Sequence, residues 1–350
     1  KNLVWDARQC HTIQPVDETY RFLSILPMAH TYENTLGLLL PLMFGAQVYY
    51  LDRVPTPKLL VPAMQKIRPT VVLSVPLIIE KIYKSQVLPK FTSSKLMSKL
   101  YQFAPARKLF NRLAGKKLME TFGGELKFFG IGGSKLDGTV EQFLREAKFP
   151  YAIGYGLTET APMAAGSNPS QTFLQGVGPV MEGVQIKIND PDKSGQGEIW
   201  IKGPNVMKGY YKRPELTAET FTEDGWFKTG DLGSFDKKNR LAIRGRIKTM
   251  ILGASGENIY PEEIESIINN FRFVNESLVV ENSGKLVAMV HFNMEELEKQ
   301  YQKLKDQAGN YKEKINDYIE EQKQELRDYV NARVNNFSKL QLVLVQHEPF

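Results

Sequence analysis

A large layered α/β portion, a small β-rich subdomain and a smaller α+β C-terminal domain are the architecture this sequence predicts, on three observations. Short apolar strands alternate with helical segments through the first half of the chain. After Gly176 the texture changes to short alternating strands punctuated by Gly, Pro and Asp. After Arg246 a helix start and two strands lead into a long charged helical stripe. The corresponding divisions are residues 1–175, 176–247 and 248–350.

Taken in order, residues 18–26 and 46–51 read as strands flanking an apolar helix that follows His30. Residues 71–74 form a buried strand that leads through Pro76 into a helix around Glu80. Residues 90–119 are basic and helical in character, and 126–131 and 151–153 return to strand. In the second region residues 183–188, 197–202, 225–228 and 240–243 are strands. In the third, Tyr260-Pro261-Glu262-Glu263 opens a helix with proline in its first turn and acids at its positive end. Strands at 276–281 and 285–292 follow. Leu297, Tyr301, Leu304, Ala308, Tyr311, Ile315 and Tyr318 then recur at alternating spacings of four and three, within a helical segment 295–336 interrupted at Gly309-Asn310. An amphipathic hairpin packed on its own domain is the main reading of this stripe; a coiled-coil arm supporting a homodimer is the other.

Composition is that of a water-soluble enzyme: 350 residues, 42% hydrophobic and 24% charged, enough chain for two cores. Cys10 is the only cysteine, so no intrachain disulfide forms, and the four histidines His11, His30, His291 and His347 have no zinc-site spacing. No stretch reaches the ~18 apolar residues of a membrane span. The longest apolar run, 36–44, is broken by Pro41. A net charge of +6 suits contact with anionic surfaces, but Lys and Arg read as spread along the chain with no nucleic-acid motif, which argues against nucleic acid as a partner.

The richest chemistry lies in Tyr155-Gly156-Leu157-Thr158-Glu159-Thr160, where a bare-backbone turn, a hydroxyl and a carboxylate meet in six residues. Glycines let backbone N–H groups approach anionic oxygens, Thr158 adds a donor, and Glu159 suits a hard cation such as Mg²⁺. A strand ending in a solvated Gly turn is the plain alternative. Four further motifs accompany it: Leu26-Pro27-Met28-Ala29-His30-Thr31-Tyr32-Glu33, Phe128-Phe129-Gly130-Ile131-Gly132-Gly133-Ser134-Lys135, Lys228-Thr229-Gly230-Asp231-Leu232-Gly233 and Arg244-Gly245-Arg246-Ile247-Lys248. With the block from Gly197-Glu198-Ile199-Trp200 to Gly209-Tyr210-Tyr211, this ordered set resembles the adenylate-forming superfamily of acyl-CoA synthetases, adenylation domains and luciferases. Within it the chain is most similar to AMP-forming long-chain fatty acid–CoA ligases.

The resemblance implies ATP-dependent ligation of a fatty acid to CoA through an acyl-adenylate, in a cytoplasmic enzyme with peripheral contact to membrane lipid. The implied cofactors are ATP/AMP and Mg²⁺, with CoA as co-substrate. Thr158 and Glu159 would contact phosphate and metal, with His30 near the substrate carboxylate. Gly132, Gly133, Ser134, Gly154, Tyr155 and Gly156 would surround the adenine, and Asp231 and Arg246 would bind the ribose. Lys248 would be the hinge of the C-terminal domain, and Gly253 and Gly256 part of a CoA-side loop. Each residue has a structural alternative: Asp231 as a turn former, Arg246 as a surface ion-pair partner, His30 as a cap or packed residue, and Glu33 as a structural acid. Two other functions share the motifs, namely an adenylation domain loading a carrier protein and a non-catalytic adenylate-binding module. The family's Ser/Thr/Gly phosphate loop has no match upstream of His30, and its catalytic lysine would follow Glu348-Pro349-Phe350. An internal piece of a longer enzyme, inactive by itself, is therefore expected.

Overall fold

The computed structural model describes all residues except 54, 93, 254–256, 305–310, 347 and 349–350. The chain separates into two units, Lys1–Ile243 and Arg244–Phe350. This division lies inside a strand, a few residues before the expected boundary at 247.

Strands β1 (Arg21–Ser24), β2 (Gln47–Tyr50), β3 (Val71–Ser74), β4 (Phe128–Ile131), β5 (Tyr151–Tyr155) and β6 (Ala165–Gly166) form one sheet in the order β2-β1-β3-β4-β5-β6. The first five are parallel and β6 is antiparallel. Covered on both faces, these strands are short apolar runs; β3, Val-Val-Leu-Ser, is buried at every residue. Side chains alternate across the sheet. Leu23, Val72 and Phe129 enter a core with Ile79, Phe122, Phe143 and Leu144, while Phe22, Val71 and Leu73 enter a second core on the opposite face. In the first, Phe122, Phe129 and Phe149 meet edge to face at 5.4–5.5 Å between ring centres, each pair adding ~1 kcal/mol beyond its buried area.

The second core also holds residues of another sheet, β7 (Gln185–Asn189), β8 (Gly197–Lys202), β9 (Phe227–Phe235) and β10 (Leu241–Arg246), ordered β10-β9-β8-β7. Ile199, Ile201, Phe227 and Leu241 pack there with Ala7 and Cys10 of the helix Asn2–Ile13, which the sequence reading left unassigned. In consequence the β-rich region joins the first unit's interior.

In the second unit, β11 (Ile251–Leu252) pairs with β12 (Asn258–Ile259), and β13 (Val274–Asn282), β14 (Lys285–Phe292) and β15 (Leu342–Gln346) form a three-stranded sheet. The helices Pro261–Ile268, Met294–Leu304 and Tyr311–Asn331 accompany them. Of the predicted stripe, Leu297, Tyr301 and Tyr318 are buried in this unit's own core with Leu326 and Val330. These three positions fit the hairpin packed on its own domain. The interruption expected at Gly309-Asn310 lies outside the described residues. β15 was not foreseen: its partner β14 is reached only by a crossover through both helices.

Candidate functional site

The strand order 2-1-3-4-5 places its reversal between β1 and β3, and in open parallel sheets ligands bind beyond the carboxyl ends of strands. Three of the expected segments leave the sheet at that edge: the His30 loop after β1, Gly132-Gly133-Ser134 after β4, and the Thr158–Thr160 turn after β5.

The turn after β5 is built by close backbone approach. A Cβ on Gly156 would lie 1.8 Å from the Pro162 carbonyl oxygen, so only glycine fits. Thr160, fully buried, closes the turn: its hydroxyl accepts from the Leu157 N–H at 2.8 Å, and the Pro162 carbonyl lies within donor reach at 3.1 Å. The two threonines therefore divide the work, Thr160 shaping the loop and Thr158 lying exposed. Between them Glu159 is half-buried, and its Oε1 accepts a hydrogen bond from the Tyr210 hydroxyl at 2.9 Å. Burial and the neighbouring carboxylate push the Tyr210 hydroxyl up to about 12, so it stays a donor at neutral pH. The Met207 N–H also donates to the Glu159 carbonyl at 2.8 Å. Tyr210 entered the sequence reading only as part of a motif block. Its role depends on a segment some fifty residues away folding back onto the turn, which separation in sequence conceals.

Asp231 is buried, and Tyr155 at the end of β5 donates its hydroxyl to Asp231 Oδ2 at 2.8 Å. The structure thus brings together a residue expected at the adenine and one expected at the ribose. Asp231 is set by its own turn: its N–H donates to Thr229 Oγ1 at 3.0 Å, and Gly230, at φ +71°, donates to Glu198 Oε1 at 3.0 Å. Glu198 also accepts from Trp200 Nε1 at 2.7 Å. It is therefore a support for the Asp231 turn that the sequence did not single out.

On the other rim, Gly133 takes φ +92°, and a Cβ on Gly132 would meet the Tyr32 ring at 3.4 Å. Burial pushes the Tyr32 hydroxyl well above its ordinary pKa. The Tyr32 N–H donates to His30 Nδ1 at 3.2 Å, and the His30 carbonyl accepts from the Asn34 N–H at 2.9 Å. His30, exposed at the head of a helical segment, thus caps that segment and turns Nε2 away from the Tyr32 amide. Glu33 is buried, and burial pushes its carboxyl up to about 7.

Behind these rims an apolar cavity of about 50 Å³ lies between the sheet and the helices of the second core, lined by Cys10, Tyr32, Leu36, Leu73, Gly154 and Met163 among others. Gly154 and Tyr32 belong both to its wall and to the motifs above. Among the described residues no group of three His, Cys, Asp or Glu could hold a metal ion. Glu159 would therefore need a ligand's own oxygens to complete a Mg²⁺ shell, the usual pattern for this ion with phosphates.

Arg246, Lys248 and Gly253 belong to the second unit. The Arg246 carbonyl accepts from the Met250 N–H at 3.0 Å across an exposed turn carrying Lys248. Gly253 donates to the Glu257 carbonyl at 2.8 Å. Gly256 lies outside the described residues.

Residues 1–211 match the model of a family described as AMP-binding enzyme. Among curated proteins, the chain is 32% identical over 293 residues to the long-chain-fatty-acid–CoA ligase heimdall of Drosophila melanogaster, covering 76% of this chain and 43% of that protein. It is 31% identical over 297 residues to long-chain-fatty-acid–CoA ligase 1 of Saccharomyces cerevisiae, covering 77% and 42%. The chain thus spans less than half the length of these relatives. Among solved structures, ATP-bound MatB from Rhodopseudomonas palustris superposes with a TM-score of 0.72 at 22% identity, over 99% of this chain and 60% of that one. The O-succinylbenzoate coenzyme A synthetase of Bacillus subtilis, in complex with ATP and magnesium ion, gives 0.71 at 22% identity, over 99% and 62%. These structures share the fold.

Proposed function

This chain belongs to the AMP-binding enzyme family, and we propose that the whole protein is an ATP-dependent, AMP-forming ligase that joins a long-chain fatty acid to coenzyme A. The observation that carries the reading is the Tyr155–Asp231 hydrogen bond beside the Glu159 turn, which gathers an aromatic face, a carboxylate acceptor and a metal-competent carboxylate at one sheet edge. The names of the curated relatives support the long-chain acid and the thiol.

A carboxylate is a poor acylating agent because oxide is a poor leaving group. In the proposed first step a carboxylate oxygen attacks the α-phosphorus of ATP, the bond to the β-phosphate oxygen breaks, and pyrophosphate leaves. In the second, the thiol sulfur attacks the acyl carbon, its proton passes to solvent, and AMP departs. Asp231 is suited to accept from both ribose hydroxyls, and Tyr155 fixes that carboxylate while offering its ring to the base. Thr158, whose side chain is exposed, would donate to phosphate. Glu159 would hold Mg²⁺, which neutralises phosphate charge when bound. His30 would donate from Nε2 toward the acyl carboxylate. Arg246 and Gly253 would serve from the second unit, with Lys248 as the pivot between the two half-reactions.

Glu159→Gln in the whole protein tests the reading, because the amide keeps the shape and removes the charge. Acid-dependent pyrophosphate release should fall by at least ~100-fold with an unchanged melting temperature. Near-normal release would overturn the assignment. Thioester formation across acids from acetate to oleate checks the chain length, with oleate expected to be preferred.

A further inference from the structure

Residues 81–119 carry ten Lys and Arg and no Asp or Glu, more positive charge than the chain's entire net of +6. This corrects the expectation that the basic residues are evenly spread. The segment folds as short helices, the last two being Lys95–Gln102 and Ala104–Thr121. Ser94 caps the first by accepting from the Met97 N–H at 3.2 Å.

The orientation of the longer helix is fixed from its inner side. Arg107 donates to both oxygens of the largely buried Glu146 carboxylate at 2.9–3.2 Å, Asn111 donates to the same group at 2.8 Å, and Leu118 enters the core. Gly115 lets the helix approach Ala147, where a Cβ would come within 2.6 Å. With that side pinned, the 3.6-residue period sends Leu109, Arg112, Leu113 and Lys116 outward, and Lys108 and Lys117 flank them. On the shorter helix Met97 and Tyr101 pack inward, leaving Leu96, Lys99 and Leu100 outside. Leu96 is 68% exposed, Phe103 63%, Leu113 61% and Leu109 58%. Single exposed leucines are ordinary; large apolar side chains repeated along two adjacent helices and interleaved with cations form a patch. Beside it lies a mainly apolar groove of about 240 Å³ that shares Leu113 and Lys117 with the patch and includes Ile82, Val87, Phe91 and Phe110 together with the polar Gln86 and Lys90 in its lining.

We propose that the outward face of the helices Lys95–Gln102 and Ala104–Thr121 docks on an anionic lipid bilayer. Leu96, Leu100, Phe103, Leu109 and Leu113 enter the headgroup boundary while Lys99, Lys108, Arg112 and Lys116 meet lipid phosphates. Charge and apolarity together select this occupant. A purely polyanionic partner would leave the leucines and Phe103 in water. A second copy of the same face would oppose like charges. A bilayer surface satisfies both, since an amphipathic helix lies in it with cations at headgroup level and apolar side chains below. The inference is independent of the ligase reading, because it concerns binding alone.

Flotation of the whole protein with phosphatidylcholine vesicles, with and without phosphatidylserine, tests it. Binding is expected only to the anionic vesicles and should be released by salt. The triple variant Lys108→Glu, Arg112→Glu, Lys116→Glu should weaken it by at least ~100-fold. The double variant Leu109→Ser, Leu113→Ser should weaken it by about tenfold. All five positions are on the exposed side, so unchanged melting temperatures are expected. Equal binding to neutral vesicles, no binding by the unaltered protein, or indifference to both variants would overturn the proposal. So would a dimer in sedimentation velocity that the leucine variant abolishes, since it would give the face to self-association.

Discussion

At Asp6 the chain buries a carboxyl group completely, in the helix Asn2–Ile13. Its Oδ2 accepts from the Met163 N–H at 3.3 Å, tying this helix to the loop beyond Thr160. Burial outweighs that hydrogen bond and pushes the carboxyl up to about 8 from an ordinary value near 4. Between these values the folded protein holds a proton that the unfolded chain has lost, so this contribution to stability falls as pH rises from about 4 to about 8. Asp6→Asn should therefore stabilise the protein relative to the parent at pH 8 and much less at pH 5, a difference that melting temperatures at the two values will show. A constant offset would mean that Asp6 is ionised in the folded state. No motif pointed to Asp6. A single acid in an amphipathic helix reads as solvated until a second segment covers it. Tyr210, Glu198 and Tyr32 escaped functional notice for the same reason: each acts on a candidate residue through a contact that depends on how distant segments pack.

Among the described elements two segments wind as π-helix, Glu33–Leu39 and Tyr83–Val87, and the sequence showed the first only as an apolar helix after His30. The wide turn of the first carries the Glu33 carboxyl against Gly37, where a Cβ would lie 2.4 Å from Glu33 Oε1. Gly37→Ala should cost about 2 kcal/mol, as overpacking of a closed site does. In a Glu33→Ala background it should cost far less, giving a coupling of at least ~1 kcal/mol in a denaturant-melt cycle. Additive losses would show that Gly37 serves some other contact. Several ordinary elements were legible in advance. Residues 71–74 and 197–202 coincide with β3 and β8, because apolar runs bounded by proline or glycine leave little choice. Others ran long or short: β9 extends to Phe235, where the reading stopped at 228, since pairing with β8 and β10 continues past the glycines that had marked a turn.

For the whole molecule, the informative segment is the turn 247–249, which follows β10 near the start of the second unit. Lys248→Pro pins one backbone torsion near about –65° and removes an N–H. If this turn is the proposed pivot, single-turnover measurements should show acyl-adenylate formation largely preserved and transfer to CoA at least ~10-fold slower, with calorimetry confirming an intact fold. Equal slowing of both half-reactions, or of neither, would move the pivot elsewhere. The sequence by itself determined the alternation of strand and helix, the glycine turns and the ordered motifs, because backbone freedom, periodicity and residue chemistry are local properties. Only the tertiary structure decided that Thr160 shapes the turn while Thr158 stays open, that Tyr155 and Asp231 share a hydrogen bond, and that Lys99, Lys108, Arg112 and Lys116 line an exposed leucine face. Those outcomes depend on which surfaces pack together, and packing is a property of the assembled chain that no single segment contains.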